Sequence, residues 1–203
     1  GLGLTNIASS MLFGGITGTA VADAASIGGV MIPGMKKAGY PADFSAAVTA
    51  ASSTVGPIIP PSVPMIIVGA LSGISVGQMF LAGAIPGILM GLAMMVTAYL
   101  ISIKNGYPSQ SWMGLGEVIK SFGHAFWALA MTFLIIYGLL SGFSTPAETA
   151  VVASLYAFVV GAFIYGELPL RAVPKIIIES AISASGILIL VGFANVFGWI
   201  LVS

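Results

Sequence analysis

The sequence predicts an all-α integral membrane protein organised around a re-entrant helical hairpin and a transmembrane helix broken by prolines. Three observations carry that reading. Of 203 residues, 58% are apolar and only 6% charged, with a mean hydropathy of +1.11, which leaves too little polar surface to cover a soluble globule. The first apolar block is longer than one membrane crossing and is interrupted in its middle by glycine and threonine. Shortly after it, Pro57, Pro60, Pro61 and Pro64 fall within eight residues of otherwise apolar sequence.

A crossing of a hydrocarbon core about 30 Å thick needs about 20 helical residues. Residues 1–35 exceed that, and "GGITGTAVAD", with Gly14, Gly15, Thr17, Gly18, Thr19 and Asp23, is a poor centre for a lipid-facing helix. Two shorter helices meeting near Gly15 to Thr19 fit better, as a re-entrant hairpin. Irregular backbone is tolerated at membrane depth only where protein or a watery cavity covers it, so the tip is a candidate site. The polar turn "KKAGYPAD" follows, with Pro41 expected at the first helical position and Asp43 in the positive first turn.

Residues 41–71 read as one discontinuous crossing: a half-length helix over 44–55, a break near 56–63, and a resumed helix over 64–71. Further crossings are expected at 77–103, 118–143, 145–166 and 182–203, with an amphipathic interfacial connection at 169–180. All six basic residues, Lys36, Lys37, Lys104, Lys120, Arg171 and Lys175, then lie on one side. By the positive-inside rule that side is cytoplasmic, and the hairpin opens toward it. The chain begins inside a hydrophobic segment with no initiator Met and no basic leader, which reads as a piece of a longer protein.

Several functional classes are disfavoured. Zero formal net charge argues against nucleic acid as a partner, and no Cys, His and carboxylate cluster offers a transition-metal site. In "TPAET", Thr145, Pro146 and Glu148 have the spacing of a capping box, so capping is the first reading of Glu148. His124 stands beside Phe126 and Trp127 and reads as interfacial or packed before it reads as a proton relay; Tyr107, Trp112 and Trp127 read as interfacial anchors. Gly83, Gly87 and Gly91, and the alanine face of Ala46, Ala47, Ala50 and Ala51, suit close helix packing. Asp23, a carboxylate near membrane depth, is by default a functional candidate.

The proline cluster removes four amide donors and disfavours helix at the preceding residues. Unwinding there is expected to leave the last carbonyls of the preceding helix without partners, beside the hydroxyls of Ser52, Ser53, Thr54 and Ser62. Carbonyl and hydroxyl oxygens are what a dehydrated sodium ion needs, and the helix resuming near Pro64 presents a positive end to an anionic group. A broken helix beside a re-entrant tip is the midplane arrangement of secondary transporters.

The segments "FGGITGTAVADAASIGGVMIPGMKKAGYPADFSAAVTAASSTVGPIIPPSVPM", "AGAIPGILMG" and "GFSTPAETA" closely resemble the large membrane subunit of tripartite ATP-independent periplasmic (TRAP) transporters, of the dicarboxylate-permease type. The resemblance covers nearly the whole chain. It implies an ion-transporter superfamily fold with paired re-entrant hairpins and elevator movement, in the bacterial or archaeal inner (cytoplasmic) membrane. It further implies no enzyme activity but sodium-coupled import of small organic acids, such as C4-dicarboxylates or sialic acid. Its partners would be a soluble periplasmic substrate-binding protein and a small four-helix membrane subunit.

Carried over by position, Gly15, Thr17, Gly18 and Thr19 of the tip and Ser53, Thr54, Gly56 and Pro57 of the break would enclose a sodium ion. Thr19, Pro61 and Ser62 would lie nearer a substrate carboxylate. The family's second inverted repeat, with its own hairpin and proline break, has no copy after Ile182, so half of the expected substrate site is present. Three other readings stay open: a related sodium/carboxylate symporter without a binding protein; an intramembrane enzyme using Asp23 or His124, which lacks a paired aspartate or a nucleophile beside a base; and a scaffold whose prolines and glycines only permit packing.

Overall fold

The computed structural model describes residues 1–108, 114–142 and 144–202, and every regular element among them is helical. Trp112, expected as an interfacial anchor, lies outside the described residues. Helices α1 (Leu2–Thr17) and α2 (Ala20–Lys37) are joined by a turn of two residues, Gly18 and Thr19. Gly18 takes the left-handed conformation (φ 64°) and returns its N–H to the Gly14 carbonyl at 2.8 Å, a closure that glycine allows without a Cβ penalty. Thr19 then caps α2, its hydroxyl accepting from the Ala22 N–H at 3.3 Å. The tip is therefore tighter than expected: Gly15 and Thr17 lie inside α1.

Helix α3 (Ala42–Ser53) begins and ends two residues before the expected span of 44–55, with Pro41 as its N-cap instead of its first helical residue. Extended backbone at Pro41 (ψ 146°) turns its carbonyl to accept both the Ser45 N–H (3.0 Å) and the Ser45 hydroxyl (2.8 Å). After irregular backbone at residues 54–62 the chain resumes as α4 (Val63–Ser72), and α5 (Val76–Lys104), α6 (Leu115–Leu140) and α7 (Pro146–Val159) follow. Thr145 and Glu148 form the expected capping box, with the Thr145 N–H and hydroxyl each donating to Glu148 Oε2 at 2.8 Å.

Among the described residues four segments, Val76–Lys104, Gly116–Leu140, Pro146–Ile164 and Leu170–Leu201, are long and apolar enough to cross a membrane. By contrast α1 and α4, with 16 and 10 residues, are shorter than a full crossing requires.

The chain forms two compact units, Gly1–Ser154 and Leu155–Ser203. In the first, α1, α2 and α3 pack on one another, while α5 lies against α1, α3 and α4 and meets α6. The hydrophobic cluster is Ile7, Met35, Tyr40, Val48 and Ala98. Tyr107 belongs to this packing: its ring is 4.9 Å from that of Phe44 and 5.5 Å from that of Tyr40, whose hydroxyl donates to the Pro108 carbonyl at 2.7 Å. An aromatic corner thus ties the end of α5 to the start of α3.

Glycines set how closely α5 approaches. A Cβ on Gly87 would sit 2.6 Å from Ile59 Cγ1, one on Gly83 2.7 Å from the Ile58 carbonyl oxygen, and one on Gly91 would strike the Met11 side chain. The alanine face behaves differently: Ala46, Ala47, Ala50 and Ala51 are exposed, and Ala47 and Ala51 line an open cavity of about 350 Å³ with Ala93 and Ala98.

In the second unit, the end of α7 passes through a π-turn (Val160–Ile164), whose Gly161 carbonyl accepts from the Glu167 and Leu168 N–H groups at 3.0 and 3.1 Å. A short 3-10 turn, Leu170–Ala172, leads into α8 (Val173–Val202). The separate interfacial connection at 169–180 is not seen: it runs without a break into the following helix. Pro174 sits in the first turn, where a missing N–H costs nothing, and an exposed Lys175–Glu179 pair at 3.7 Å bridges one turn of the continuous helix.

Replacing Gly87 by Val is expected to destabilise the fold by about 1–3 kcal/mol through overpacking against Ile59. Gly29→Ala, whose Cβ meets nothing within 4 Å, should leave stability equal or slightly higher. Thermal unfolding of the full-length protein in detergent measures both.

Candidate functional site

The hairpin tip and the proline break lie against each other with almost no side chain between them. A Cβ on Gly14 would sit 2.7 Å from the Cα of Gly56, and one on Gly56 would sit 3.4 Å from the Thr19 carbonyl oxygen. A Cβ on Gly18 would lie 2.6 Å from the Pro61 carbonyl oxygen. The contact is also polar, since the Gly18 carbonyl accepts from the Val63 N–H, the first amide of α4, at 3.2 Å. Ser62 caps α4: its hydroxyl accepts from the Met65 N–H at 3.3 Å and donates to the Pro57 carbonyl at 2.5 Å. Two helix N-termini, capped by Thr19 and Ser62, therefore meet beside the C-terminal ends of α1 and α3.

The break differs from the expected open end of α3. Its last carbonyls are not bare: Ala51, Ser52 and Ser53 accept from the N–H groups of Thr54, Val55 and Gly56 at 3.1–3.2 Å, and Val55 accepts from Ile58 and Ile59 at 2.9 Å. The chain tightens into three-residue turns before the prolines, because those amides are still available while the proline nitrogens are not. The Ser52 and Ser53 carbonyl oxygens each accept one bond and retain a second lone pair, whereas those of Ala51 and Val55 each accept two.

Among the residues expected around an ion, Gly15, Gly18, Thr19, Gly56, Pro61 and Ser62 converge at this contact. Ser53 is buried, its hydroxyl donating to the Thr49 carbonyl at 2.8 Å. Thr54 is not brought in: it is exposed and its hydroxyl bonds back to Ala51 at 2.7 Å. The Thr17 hydroxyl likewise bonds back to Phe13, at 3.3 Å.

Asp23 occupies the first turn of α2 and is 0% exposed, with neither carboxylate oxygen hydrogen-bonded among the described residues. The register of α2 on α3, with Gly28 against Thr49 and Thr19 against Gly56, puts Asp23 at the level of Ser52 and Ser53. All six Lys and Arg side chains are exposed, so none of them neutralises this carboxylate from within the packed helices. His124 is exposed on α6.

Two features escaped the sequence reading. One is a buried polar seam between α1 and α3: Asn6 Nδ2 donates to Thr49 Oγ1 at 2.7 Å, and the Ser10 and Ser52 hydroxyls pair at 2.9 Å. Its signal is the spacing of polar residues, Asn6 and Ser10 on one helix and Ser45, Thr49 and Ser52 on the other, at one-turn intervals. The other is Thr132, whose buried hydroxyl has no partner among the described residues and whose Cγ2 lies 3.7 Å from where a Gly15 Cβ would stand.

Residues 1–203 match the family described as the DctM component of the tripartite ATP-independent periplasmic transporter. The sialic acid TRAP transporter large permease protein SiaM of Vibrio cholerae is 43% identical over 98% of this chain and 47% of its own length. The 2,3-diketo-L-gulonate TRAP transporter large permease protein YiaN of Escherichia coli is 35% identical over 99% of this chain and 47% of its own. The C4-dicarboxylate TRAP transporter large permease protein DctM of Pseudomonas aeruginosa is 34% identical over the same shares, 99% and 47%. The chain spans about half the length of these curated relatives.

Gly18→Ala is expected to cost about 1–2 kcal/mol from the left-handed backbone alone, with the close approach to Pro61 adding to it. Faster hydrogen exchange at the Val63 amide, alongside a lower melting temperature, checks that the damage is at the contact between tip and break.

Proposed function

The chain belongs to the DctM component family of TRAP transporters, which are permeases and not enzymes, and from that membership we propose that it forms the sodium-holding half of an organic-acid importer. The observation that carries the proposal is Asp23, a fully buried carboxylate with two unpartnered oxygens one turn from the hairpin tip. An unpaired charge at that depth is costly, and a monovalent cation in the same pocket offsets it. Sodium suits the oxygens that the register of the helices brings toward this level, the carbonyls that end α1 and the buried Ser52 and Ser53 on α3.

On this reading the ion sits where Gly15, Gly18 and Thr19 of the tip approach Gly56 and the following break, with Ser53 and Pro57 beside Gly56 in the chain as further oxygen donors and Asp23 supplying the negative charge. The N-terminal ends of α2 and α4, with Thr19, Pro61 and Ser62, then face the carboxylate of the transported acid. Sodium filling the cation locus strengthens the positive field felt at those N-termini, which couples ion binding to substrate binding. Relatives named for sialic acid, 2,3-diketo-L-gulonate and C4-dicarboxylates share the carboxylate group that this arrangement suits.

The chain is part of a multi-pass membrane protein. Its proposed setting is the inner membrane, with the hairpin opening to the cytoplasm and movement of elevator type. Its proposed partners are a small membrane subunit and a periplasmic substrate-binding protein, the other components of a tripartite system.

The full-length protein with its partners, reconstituted in vesicles, is expected to take up organic acid only with an inward sodium gradient. Gly18→Leu and Gly56→Leu should abolish uptake, and Asp23→Asn should raise the half-saturating sodium concentration by about tenfold or more. Uptake that continues unchanged when choline replaces sodium would refute the proposal.

A further inference from the structure

We propose that Thr132 of α6 is a further ligand of the ion held at the hairpin tip, an inference that rests on the sodium reading above. Its hydroxyl is buried and has no hydrogen-bond partner among the described residues. That is unusual for a mid-helix threonine or serine in apolar surroundings, which ordinarily bonds back to the carbonyl one turn earlier. Elsewhere in this chain the hydroxyls of Thr97, Ser102, Ser154 and Ser185 do so, at 2.7–2.9 Å. Thr132 instead holds its hydroxyl uncommitted at a place where an oxygen ligand is useful.

That place is defined by three elements. The Thr132 methyl lies 3.7 Å from the Gly15 Cβ position, in the last turn of α1, and the same position is 3.4 Å from the Pro60 carbonyl oxygen. The carbonyls of Gly15, Ile16 and Thr17 end α1 and have no intrahelical donor by position. On α6, Ile136 and Leu140 follow Thr132 at one-turn intervals and line an apolar cavity of about 230 Å³ with Ile59, Pro60 and Phe80. The face of α6 that meets the break is thus apolar along its length and becomes polar at Thr132, next to the hairpin.

On this inference Thr132 adds a ligand from α6 beside Gly15, so the bound cation joins the hairpin tip to a helix outside the α1–α3 packing. The hydroxyl contributes a lone pair, as oxygen ligands do for hard cations.

The test uses the full-length protein in detergent, its melting temperature followed as NaCl replaces choline chloride at constant ionic strength. Thr132→Val keeps the shape and removes the hydroxyl; Thr132→Ser keeps the hydroxyl, and Thr132→Ala is a second deletion in case the valine packs badly. The expected result is a sodium midpoint raised about tenfold in Thr132→Val and Thr132→Ala and unchanged within about twofold in Thr132→Ser. A lower melting temperature without sodium but an unchanged midpoint would assign Thr132 a purely structural role and overturn the inference. If the parent responds to sodium and loses that response in Gly18→Leu, while both deletions keep the parent midpoint, the sodium reading stands and Thr132 falls. A parent indifferent to sodium refutes both.

Discussion

The structure of the first unit depends on two irregular stretches of backbone satisfying each other. At the hairpin turn and at the proline break, main-chain groups lack the bonds that a continuous helix would give them, and in hydrocarbon each such group costs several kcal/mol. The Gly18 carbonyl accepts the first amide of α4, Ser62 ties the Pro57 carbonyl, and Gly14 meets Gly56 backbone to backbone. A side chain at Gly14, Gly18 or Gly56 would separate the partners, so the sequence "GGITGT" and the glycine before Pro57 are two halves of one requirement.

Other packing follows from holding that contact in place. Helix α5 presses on the break through Gly83 and Gly87, against Ile58 and Ile59, and on α1 through Gly91, against Met11. The seam of Asn6, Ser10, Thr49 and Ser52 fixes α1 to α3 along their length with buried hydrogen bonds, which specify register in a way that apolar contact alone does not. With register fixed, Gly14 reaches Gly56 and Asp23 reaches the level of Ser53. The aromatic corner of Tyr40, Phe44 and Tyr107 anchors the opposite end.

What was legible in the sequence is the chemistry that acts locally. Glycine at a helix end, threonine and serine at the next helix start, and prolines that remove amides write Gly18, Thr19, Ser62 and the interruption at 54–62 directly into the chain. What was not legible depends on how the backbone turns at the break and on partners far along the chain. Whether the carbonyls of Ser52 and Ser53 stay bare turns on how the amides of Val55 and Gly56 fold back. That Thr54 faces outward while Ser52 and Ser53 face inward follows from the rotation of α3 against α1. The alanine face of α3 looks like a packing surface by composition, yet it is exposed, because composition names a surface that can pack and not the surface that covers it. Thr132 gives no signal within "ALAMTFLIIYG"; its importance arises from the approach of α6 to Gly15.

The division of labour between backbone and side chains bears on how one scaffold serves different acids. On the proposed reading, a cation locus assembled from the ends of α1 and α3, with Asp23 for charge, would take most of its oxygens from the main chain, and main-chain oxygens survive substitution of the side chains that carry them. Relatives named for a nine-carbon sugar acid, a keto sugar acid and a four-carbon diacid are 34–43% identical to this chain over nearly its whole length. What these names share is a carboxylate, and the helix N-termini at the contact between tip and break suit an anionic group. On the proposed reading, discrimination among the acids would fall to side chains outside that contact. The tip can remain glycine and threonine whatever the cargo, since its task is to let two backbones touch.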